Sequence, residues 1–242
     1  MLSAFTILKD RQQIGLREKE ILLTFDDGPN ELNELTERLL DVLQRSGVKA
    51  CFALIGDQVE KAPHTVQRMW EEGHLVVNHT QSHTFAVLGQ QELLESEVAQ
   101  CNETIGAALG IEDFQAAVFR PPGGMLTGAV KRYLRENNVT IAPVSHFAWD
   151  TLYSPRNYGN VVTRILSNAQ RYDGGAYVLH DYRHHDPLDP LEKRVHPRSA
   201  ANRSWVPEAV EQIIRKLHKY NYEIVDPQEF FSRSPNNNQN GN

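Results

Sequence analysis

Two adjacent carboxylates follow an apolar run close to the start of the chain. Asp26 and Asp27 come directly after residues 20–25 and before Gly28-Pro29, so they stand where a buried strand ends. Neighbouring side chains of a strand point to opposite faces, which gives the two acids different surroundings. Two carboxylates at such a place are costly to desolvate, and a metal ion is the usual partner.

A pair of histidines farther along the chain offers metal ligands. His79 and His83 are four residues apart, a spacing that would place both rings on one face of a helical turn. Together with one aspartate they leave coordination positions open for water and substrate, which is typical of a catalytic metal site. Imidazole and carboxylate ligands suit zinc, and also cobalt or iron. The sequence therefore predicts a bound divalent metal ion and leaves zinc, cobalt and iron open.

Three further residues of chemical interest follow apolar runs that we interpret as strands. They are Arg120, Asp150 and His180. In a barrel of parallel strands, the carboxyl ends of the strands meet at one mouth. We therefore expect these residues to lie near the two acids and the two histidines.

The elements that would position these residues alternate between strand and helix. Apolar runs predict about seven strands, at residues 20–25, 49–55, 74–77, 116–119, 139–144, 176–179 and 222–225. Helical spacing of apolar residues separates most of them. This alternation implies a parallel sheet covered by helices, and the number of strands favours a barrel over a small open sheet.

The overall composition is that of one globular domain. The chain has 242 residues, and its net charge of −6 argues against a general nucleic-acid binder. No stretch is long enough to span a membrane, and we expect a monomer. Residues 1–19 lack the pattern of a secretory signal, so the compartment stays open. We expect 1–19 to be an N-terminal extension, 20–231 to form the domain, and the Asn-rich residues 232–242 to be a disordered tail.

Taken together, these segments resemble the motifs of the polysaccharide deacetylase family, the NodB-homology domain of carbohydrate esterase family 4. Thr-Phe-Asp-Asp-Gly at 24–28 matches the first motif, His-Thr-Gln-Ser-His at 79–83 the second, and Arg-Pro-Pro-Gly-Gly at 120–124 the third. Val-Leu-His at 178–180 matches the fifth, with valine where leucine is commoner. The resemblance implies an α/β fold, a distorted (β/α)7-8 barrel of the NodB-homology type.

The resemblance also implies an activity: a metal-dependent hydrolase that removes N-acetyl or O-acetyl groups from a carbohydrate. It implies three ligands for a divalent ion, usually zinc: Asp27, His79 and His83. Asp26 would act as general base and His180 as general acid. Arg120 would pair with Asp26 and fix its orientation, and a backbone N–H near Gly123 would bind the oxyanion. Family membership would lean toward the cell envelope or secretion.

The fourth motif departs from the family pattern. That pattern is Asp-x-x-Asp-Trp, and residues 150–154 read Asp-Thr-Leu-Tyr-Ser. In the family the second aspartate supports the catalytic histidine, and the tryptophan walls the acetyl pocket. Tyr153 stands at the place of that aspartate, whereas Asp181 points the other way along its strand. We therefore expect that Asp150 orients His180, or that His180 is left with a neutral partner. Trp149, Tyr153 or a residue of the segment 182–204 would replace the tryptophan.

Several alternatives stay open from the sequence. The substrate could be a chitin oligomer, peptidoglycan, acetylated xylan or a small non-polymeric amide. An iron oxygenase uses a similar set of two histidines and one carboxylate, although we would expect an all-β host for it. The altered fourth motif also allows a catalytically weak or inactive carbohydrate-binding protein of the deacetylase fold. The long polar segment 182–204, directly after His180, is our candidate for substrate selection.

Overall fold

The computed structural model describes residues 9–183 and 191–233. The strands in these residues are β1 (Glu20–Asp26), β2 (Cys51–Leu54), β3 (Leu75–Asn78), β4 (Val118–Phe119), β5 (Thr140–Ile141), β6 (His146–Phe147), β7 (Gly175–His180) and β8 (Glu223–Ile224). The helices are α1 (Leu35–Arg45), α2 (Gly56–Val59), α3 (Pro63–Glu71), α4 (Gln91–Leu109), α5 (Gly128–Glu136), α6 (Gly159–Tyr172), α7 (Leu191–Val195), α8 (Val206–Lys219) and α9 (Pro227–Arg233).

The strands form one parallel sheet in the order β5-β4-β3-β2-β1-β7-β6, and β8 pairs with the beginning of β1. The sheet curls into a half-barrel, which confirms the predicted α/β fold of the (β/α)7-8 type. Within the described residues no ladder joins β5 to β6, so the barrel is open between these two strands. Because all the strand pairs are parallel, the carboxyl ends of β1, β3, β4 and β7 lie at the same edge.

Strand β1 is the centre of the sheet, and all seven of its residues are buried. A strand covered on both faces reads as a nearly continuous apolar run, as this one does. Leu23 and Phe25 face the helices, in a core shared with α1, α6 and α8. Leu22 faces the barrel interior, which small side chains fill: Cys51, Ala53, Val77, Val118, Ala142 and Ala176. Burial of each large aliphatic side chain contributes about 1.5–3 kcal/mol. Strand alternation places Asp26 on the same inward face as Leu22.

The strand predicted over residues 139–144 is wrong in length, because only two of these residues form a strand. The structure ends β5 at Ile141 and begins a separate strand, β6, at His146. Pro143 lies between them and has no N–H for a ladder. The chain then crosses to the other end of the sheet, where β6 pairs with β7. A strand of two residues carries no periodic signal, which is why the apolar pattern missed β6.

The described part of the expected N-terminal extension packs against the barrel. Ile14 and Leu16 are buried beside the interior residues of β1. The backbone N–H of Lys9 donates to the carbonyl of Val144 at 3.0 Å, in the opening between β5 and β6. The division into 1–19, 20–231 and 232–242 stays a prediction, and residues 1–8 and 234–242 lie outside the described ranges. Among the described helices, none is both long and apolar enough to cross a membrane.

Two titratable side chains of the core, His74 and Asp181, have pKa values that burial shifts in opposite directions. His74, at the start of β3, accepts the N–H of Ala50 on Nδ1 at 3.2 Å, and burial lowers its pKa to about 4. Asp181, directly after β7, accepts the hydroxyl of Thr36, and burial raises its pKa to about 6. Burial therefore makes the neutral form of each group more favourable in the folded protein than in the unfolded chain.

Candidate active site

Asp27, His79 and His83 converge at the carboxyl edge of the sheet. Oδ1 of Asp27 lies 3.4 Å from Nε2 of His79 and 3.4 Å from Nε2 of His83. One donor atom from each residue lies within 4.8 Å of the others, and all three side chains are largely buried. In the described part of the chain, this is the one group of three or more such residues close enough to hold a metal ion.

The hydrogen bond on the far side of His79 tests whether these residues fit a metal. Nδ1 of His79 lies 2.6 Å from the backbone oxygen of Arg120. A carbonyl oxygen can only accept, so Nδ1 carries the hydrogen and the lone pair of Nε2 points toward Asp27. For a neutral ring, this leaves a lone pair facing a carboxylate oxygen in a buried site. A cation between them resolves the conflict, and such an outward hydrogen bond is usual for metal-binding histidines.

The electrostatics of Asp27 agree with an ionised ligand. Burial alone raises the pKa of this carboxyl, but its close contact with His79 and the nearby His180 and His83 hold the pKa well below its ordinary value. Asp27 is therefore a carboxylate at neutral pH. One carboxylate and two imidazoles are the donor set of many catalytic metal sites.

The predicted helical turn at 79–83 is wrong. The chain instead makes an irregular bend between β3 and the 3-10 turn Phe85–Gly89. Thr80 and His83 both have left-handed backbone angles, with φ of 68° and 58°. Two left-handed residues in five exclude a regular right-handed helical turn. The two rings meet because the chain bends between them, with their centroids 4.8 Å apart.

Side chains from neighbouring elements hold this bend. Asn78, the last residue of β3, accepts the N–H of Thr80 on its side-chain oxygen at 2.9 Å. Glu97 of α4 accepts both the N–H and the hydroxyl of Ser82, each at 2.8 Å. These bonds satisfy backbone groups that a helix or strand would otherwise satisfy. The conformation of the bend that carries His79 and His83 therefore depends on β3 and α4.

Asp26 lies beside Asp27 but faces a buried arginine. Nη1 of Arg120 lies 2.8 Å from Oδ1 and 3.1 Å from Oδ2 of Asp26, and it also donates to the hydroxyl of Thr24 at 3.0 Å. Arg120 is only 1% exposed. Its backbone N–H bonds to the carbonyl of Asn78, where β3 and β4 pair, so the guanidinium is held from the neighbouring strands. The pair fixes the Asp26 carboxylate at the mouth of the barrel.

His180 at the end of β7 is paired with Asp150. Nδ1 of His180 lies 3.0 Å from Oδ1 of Asp150, and the backbone N–H of His180 donates to Oδ2 at 2.8 Å. Burial alone would lower the pKa of His180, but Asp150, with smaller contributions from Asp27 and Asp26, raises it to about 9. The pKa of Asp150 is lowered in turn, against the effect of its burial, by His180 and Arg203.

Arg203 is a site residue that the sequence analysis missed. It is 1% exposed, and its guanidinium donates to the Asp150 carboxylate and to the backbone oxygens of Asp150 and His180. It comes from the end of the segment 182–204, of which residues 182–183 and 191–204 are described. A lone arginine in a polar segment gives no signal of burial, because its partners are far away in sequence.

A cavity of about 130 Å³ joins the metal-binding group, Asp26 and His180. Its apolar lining consists of Phe85, Val144, Phe147 and Val178. The expected replacements for the family tryptophan do not line it in the described structure. Trp149 is 53% exposed and packs against Phe147 with ring centroids 5.6 Å apart. The hydroxyl of Tyr153 instead accepts a hydrogen bond from Arg164 of α6 at 3.1 Å.

More than half of the chain matches the model of one protein family. Residues 13–142 match the family model described as polysaccharide deacetylase, and this range is more than half of the chain. The chain belongs to the polysaccharide deacetylase family. This membership makes the protein a deacetylase of carbohydrate N-acetyl groups, and the family is metal-dependent. The matched range holds the metal-binding group, Asp26 and Arg120, whereas Asp150, His180 and Arg203 lie beyond it.

Relatives and solved structures agree with this membership. The deacetylase is 28% identical over 218 residues to a peptidoglycan-N-acetylglucosamine deacetylase of Bacillus cereus, covering 88% of each chain. It is 34% identical over 172 residues to a chitooligosaccharide deacetylase of Rhizobium leguminosarum bv. trifolii, covering 70% of this chain and 74% of that one.

Among solved structures, a peptidoglycan N-acetylglucosamine deacetylase in complex with a benzamide compound has a TM-score of 0.70 at 26% identity, with 89% of each chain covered. The Xyl-CE4 domain of a multidomain xylanase from the hindgut metagenome of Trinervitermes trinervoides has a TM-score of 0.71 at 25% identity, covering 92% of this chain and 94% of that one.

Proposed function

We propose that the deacetylase removes N-acetyl groups from an N-acetylglucosamine-containing glycan, with one divalent ion held by Asp27, His79 and His83. The observation that carries the proposal is the orientation of His79, whose Nε2 lone pair faces the Asp27 carboxylate in a buried site. A divalent ion bound there supplies Lewis-acid polarisation of the amide carbonyl and of water. Zinc is our first choice because two imidazoles and a carboxylate suit it.

In this proposal Asp26 takes the proton of the attacking water. Its carboxylate is held by Arg120 with a charge-assisted hydrogen bond, so it needs no reorientation when water arrives. As the water oxygen bonds to the carbonyl carbon, the proton that water loses goes to Asp26. A backbone N–H next to Gly123 remains our candidate for binding the oxyanion, since Gly123 and Gly124 line the cavity.

His180 gives a proton to the leaving nitrogen. When the carbon–nitrogen bond breaks, the amine needs that proton to leave, and the products are acetate and the free amino sugar. The raised pKa of about 9 keeps the ring protonated at neutral pH, and Asp150 on Nδ1 leaves Nε2 for the cavity. The apolar walls of Phe147 and Val178 suit the methyl group of an acetyl substituent.

Peptidoglycan and chitin oligomers are the substrates we favour. The relatives above are named for peptidoglycan and chitooligosaccharide deacetylation, and the chain aligns with most of their length. The iron oxygenase alternative is not favoured, because the fold is a parallel α/β sheet rather than all-β. An inactive binding protein is not favoured either, because Asp150 occupies the position beside His180 that the changed fourth motif left in question.

The test is acetate release from a glycan panel by the metal-loaded protein, with and without chelator. We expect release from N-acetylglucosamine oligomers or peptidoglycan, loss with chelator, and recovery when zinc is returned. His79→Ala should lose both metal and activity, whereas His64→Ala should lose neither, since the His64 side chain is 74% exposed. Full metal occupancy in His79→Ala would contradict the ligand assignment.

A further inference from the structure

We propose that Arg203 is a positioning residue for the proton donor, because it holds Asp150 so that one carboxylate oxygen faces Nδ1 of His180. The inference rests on the proposed function, in which His180 protonates the leaving amine. It goes beyond that function, since neither the family motifs nor the range matched by the family model includes Arg203.

The guanidinium of Arg203 binds both members of the pair. Nε donates to the backbone oxygen of His180 at 2.9 Å, and Nη1 donates to the backbone oxygen of Asp150 at 2.9 Å. Nη2 donates to Oδ2 of the Asp150 carboxylate. Three donors in one rigid plane therefore link the end of β7 to the 3-10 turn Asp150–Leu152, which are adjacent in space but separated in sequence.

These bonds decide which way the Asp150 carboxylate points. Oδ2 accepts from both Arg203 and the backbone N–H of His180, so that oxygen is fully engaged. Oδ1 is then turned to Nδ1 of His180, 3.0 Å away. The acceptor requires a hydrogen on Nδ1, which sets the tautomer and leaves Nε2 for the cavity. Lysine could supply the charge of Arg203 but not the three-donor plane.

The burial of Arg203 supports a role other than packing. A buried cation is unfavourable unless its partners are well placed, and an apolar side chain could fill the same space without that cost. The guanidinium carbon lies 4.5 Å from the centre of the Trp205 ring, which is itself stacked on Tyr158 at 5.5 Å. This aromatic support fixes the plane of the guanidinium. The pair of Arg203 and Asp150, beside the proposed proton donor His180, thus resembles the pair of Arg120 and Asp26: in each, a buried arginine holds an aspartate.

Comparing substrates with different leaving groups separates a positioning role of Arg203 from a merely structural one. An amine needs a proton to leave, whereas 4-nitrophenolate leaves without one. We therefore compare metal-loaded wild type, Arg203→Lys and Arg203→Met on an N-acetylglucosamine oligomer and on 4-nitrophenyl acetate. Both variants should lose about 10²-fold in kcat on the amide, the cost typical of a displaced catalytic group, with little change in KM, metal content or the rate on the ester. Arg198→Lys is the matched control, because Arg198 is exposed in the same segment.

Two results would overturn the proposal. One is Arg203→Lys with wild-type kcat on the amide, and the other is an equal loss on amide and ester, which would mean general damage to the site. If neither variant folds, NMR of wild-type protein with ¹⁵N-labelled histidine decides. Above pH 9, where the His180 ring becomes neutral, we expect its remaining hydrogen on Nδ1, and a neutral ring with hydrogen on Nε2 alone would refute the positioning role. A wild type that hydrolyses neither substrate refutes the proposed function instead, and it leaves the NMR result interpretable.

Discussion

Asp26 and Asp27 are neighbours in sequence with opposite partners. Asp27 faces two imidazoles, and Asp26 faces the guanidinium of Arg120. Strand alternation alone requires that the two carboxylates point apart. The left-handed backbone of Asp27, with φ of 74°, then turns its side chain toward the histidines as the strand ends. One pair of identical residues can therefore serve as metal ligand and as base.

Asp26→Asn should separate these two jobs. The amide keeps the shape of the carboxylate but cannot accept the proton, so turnover should fall by about 10²–10⁴-fold while metal content stays at the wild-type level. Acetate release and metal analysis on the same preparation measure both. Asp113→Asn is a suitable control, because Asp113 is exposed and asparagine tolerates its left-handed backbone. Near-normal turnover in Asp26→Asn would exclude Asp26 as the base.

Asp150→Asn should change the pH dependence of activity as well as the rate. The negative charge of Asp150 contributes most to raising the pKa of His180. An acid works only while protonated, so activity falls as the pH rises through its pKa, and a lower pKa moves that decline to lower pH. In the pH–rate profile of the variant, the decline of activity at high pH should therefore begin at a lower pH than in wild type. An unmoved limb would mean that His180 is not the acid or that Asp150 does not tune it.

Among the elements, the bend at 79–83 shows where sequence reasoning succeeds and where it stops. The residue types of His79 and His83 predicted ligands, and the structure brings both to Asp27. The helical spacing predicted the wrong conformation, because the bend is set by bonds to Asn78 and Glu97, and nothing local in the sequence reveals them. The strands of the central sheet were predictable because burial on both faces makes them apolar throughout.

The proton-donating side shows the same limit. Asp150 could be predicted as the partner of His180, since one acid was missing from its motif and another stood three residues earlier. Arg203 could not be predicted, because its contacts span more than fifty residues of sequence to Asp150 and rest on the docking of the segment before α8. Tertiary contacts of this kind leave no periodic pattern.

Glu97→Ala should weaken metal binding without touching a ligand. Removing the carboxylate leaves the N–H of Ser82 without its acceptor, and the hydroxyl of Ser82 keeps only Thr84, so the bend that carries His83 loosens. Loss of supporting groups outside the metal ligands typically lowers affinity by about 10–100-fold. Competition with a chelator of known affinity measures the effect. Glu103→Ala, on the exposed side of α4, should bind metal as wild type does, and equal affinities in the two variants would refute the role of Glu97.

For the whole molecule, His74 and Asp181 make opposite contributions to stability. The pKa of His74 is lowered from 6.5 to about 4, so as the pH falls the unfolded chain takes up this proton before the folded protein does. The stabilisation present above pH 6.5 is therefore lost as the pH falls toward 4. The pKa of Asp181 is raised from 3.8 to about 6, so its contribution is present below pH 3.8 and is lost as the pH rises through 6. Each is worth about 3 kcal/mol, so the two nearly cancel over this range.

Replacing either residue should therefore reveal how the other one makes the free energy of unfolding depend on pH. In the metal-free protein, His74→Asn should grow more stable as the pH falls from 6.5 to 4, whereas Asp181→Asn should grow less stable. Wild type should change little between these limits. Urea unfolding at several pH values gives the free energies of unfolding. Parallel pH profiles in the two variants would mean that the shifts of His74 and Asp181 do not control stability here.

The central place of β1 also fixes the order in which the site can be completed as the chain is made. Asp26, at the end of β1, pairs with Ala53 of β2 on one side and with His180 of β7 on the other. Synthesis runs from the N-terminus, and pairings across long stretches of chain form slowly. Asp27, His79 and His83, the proposed metal ligands, have all emerged once residue 83 is made, but the proposed proton donor and its supporting arginine wait for residues 180 and 203. In the proposed mechanism, a growing chain thus acquires the parts that would bind metal well before it acquires the parts that would deliver the proton.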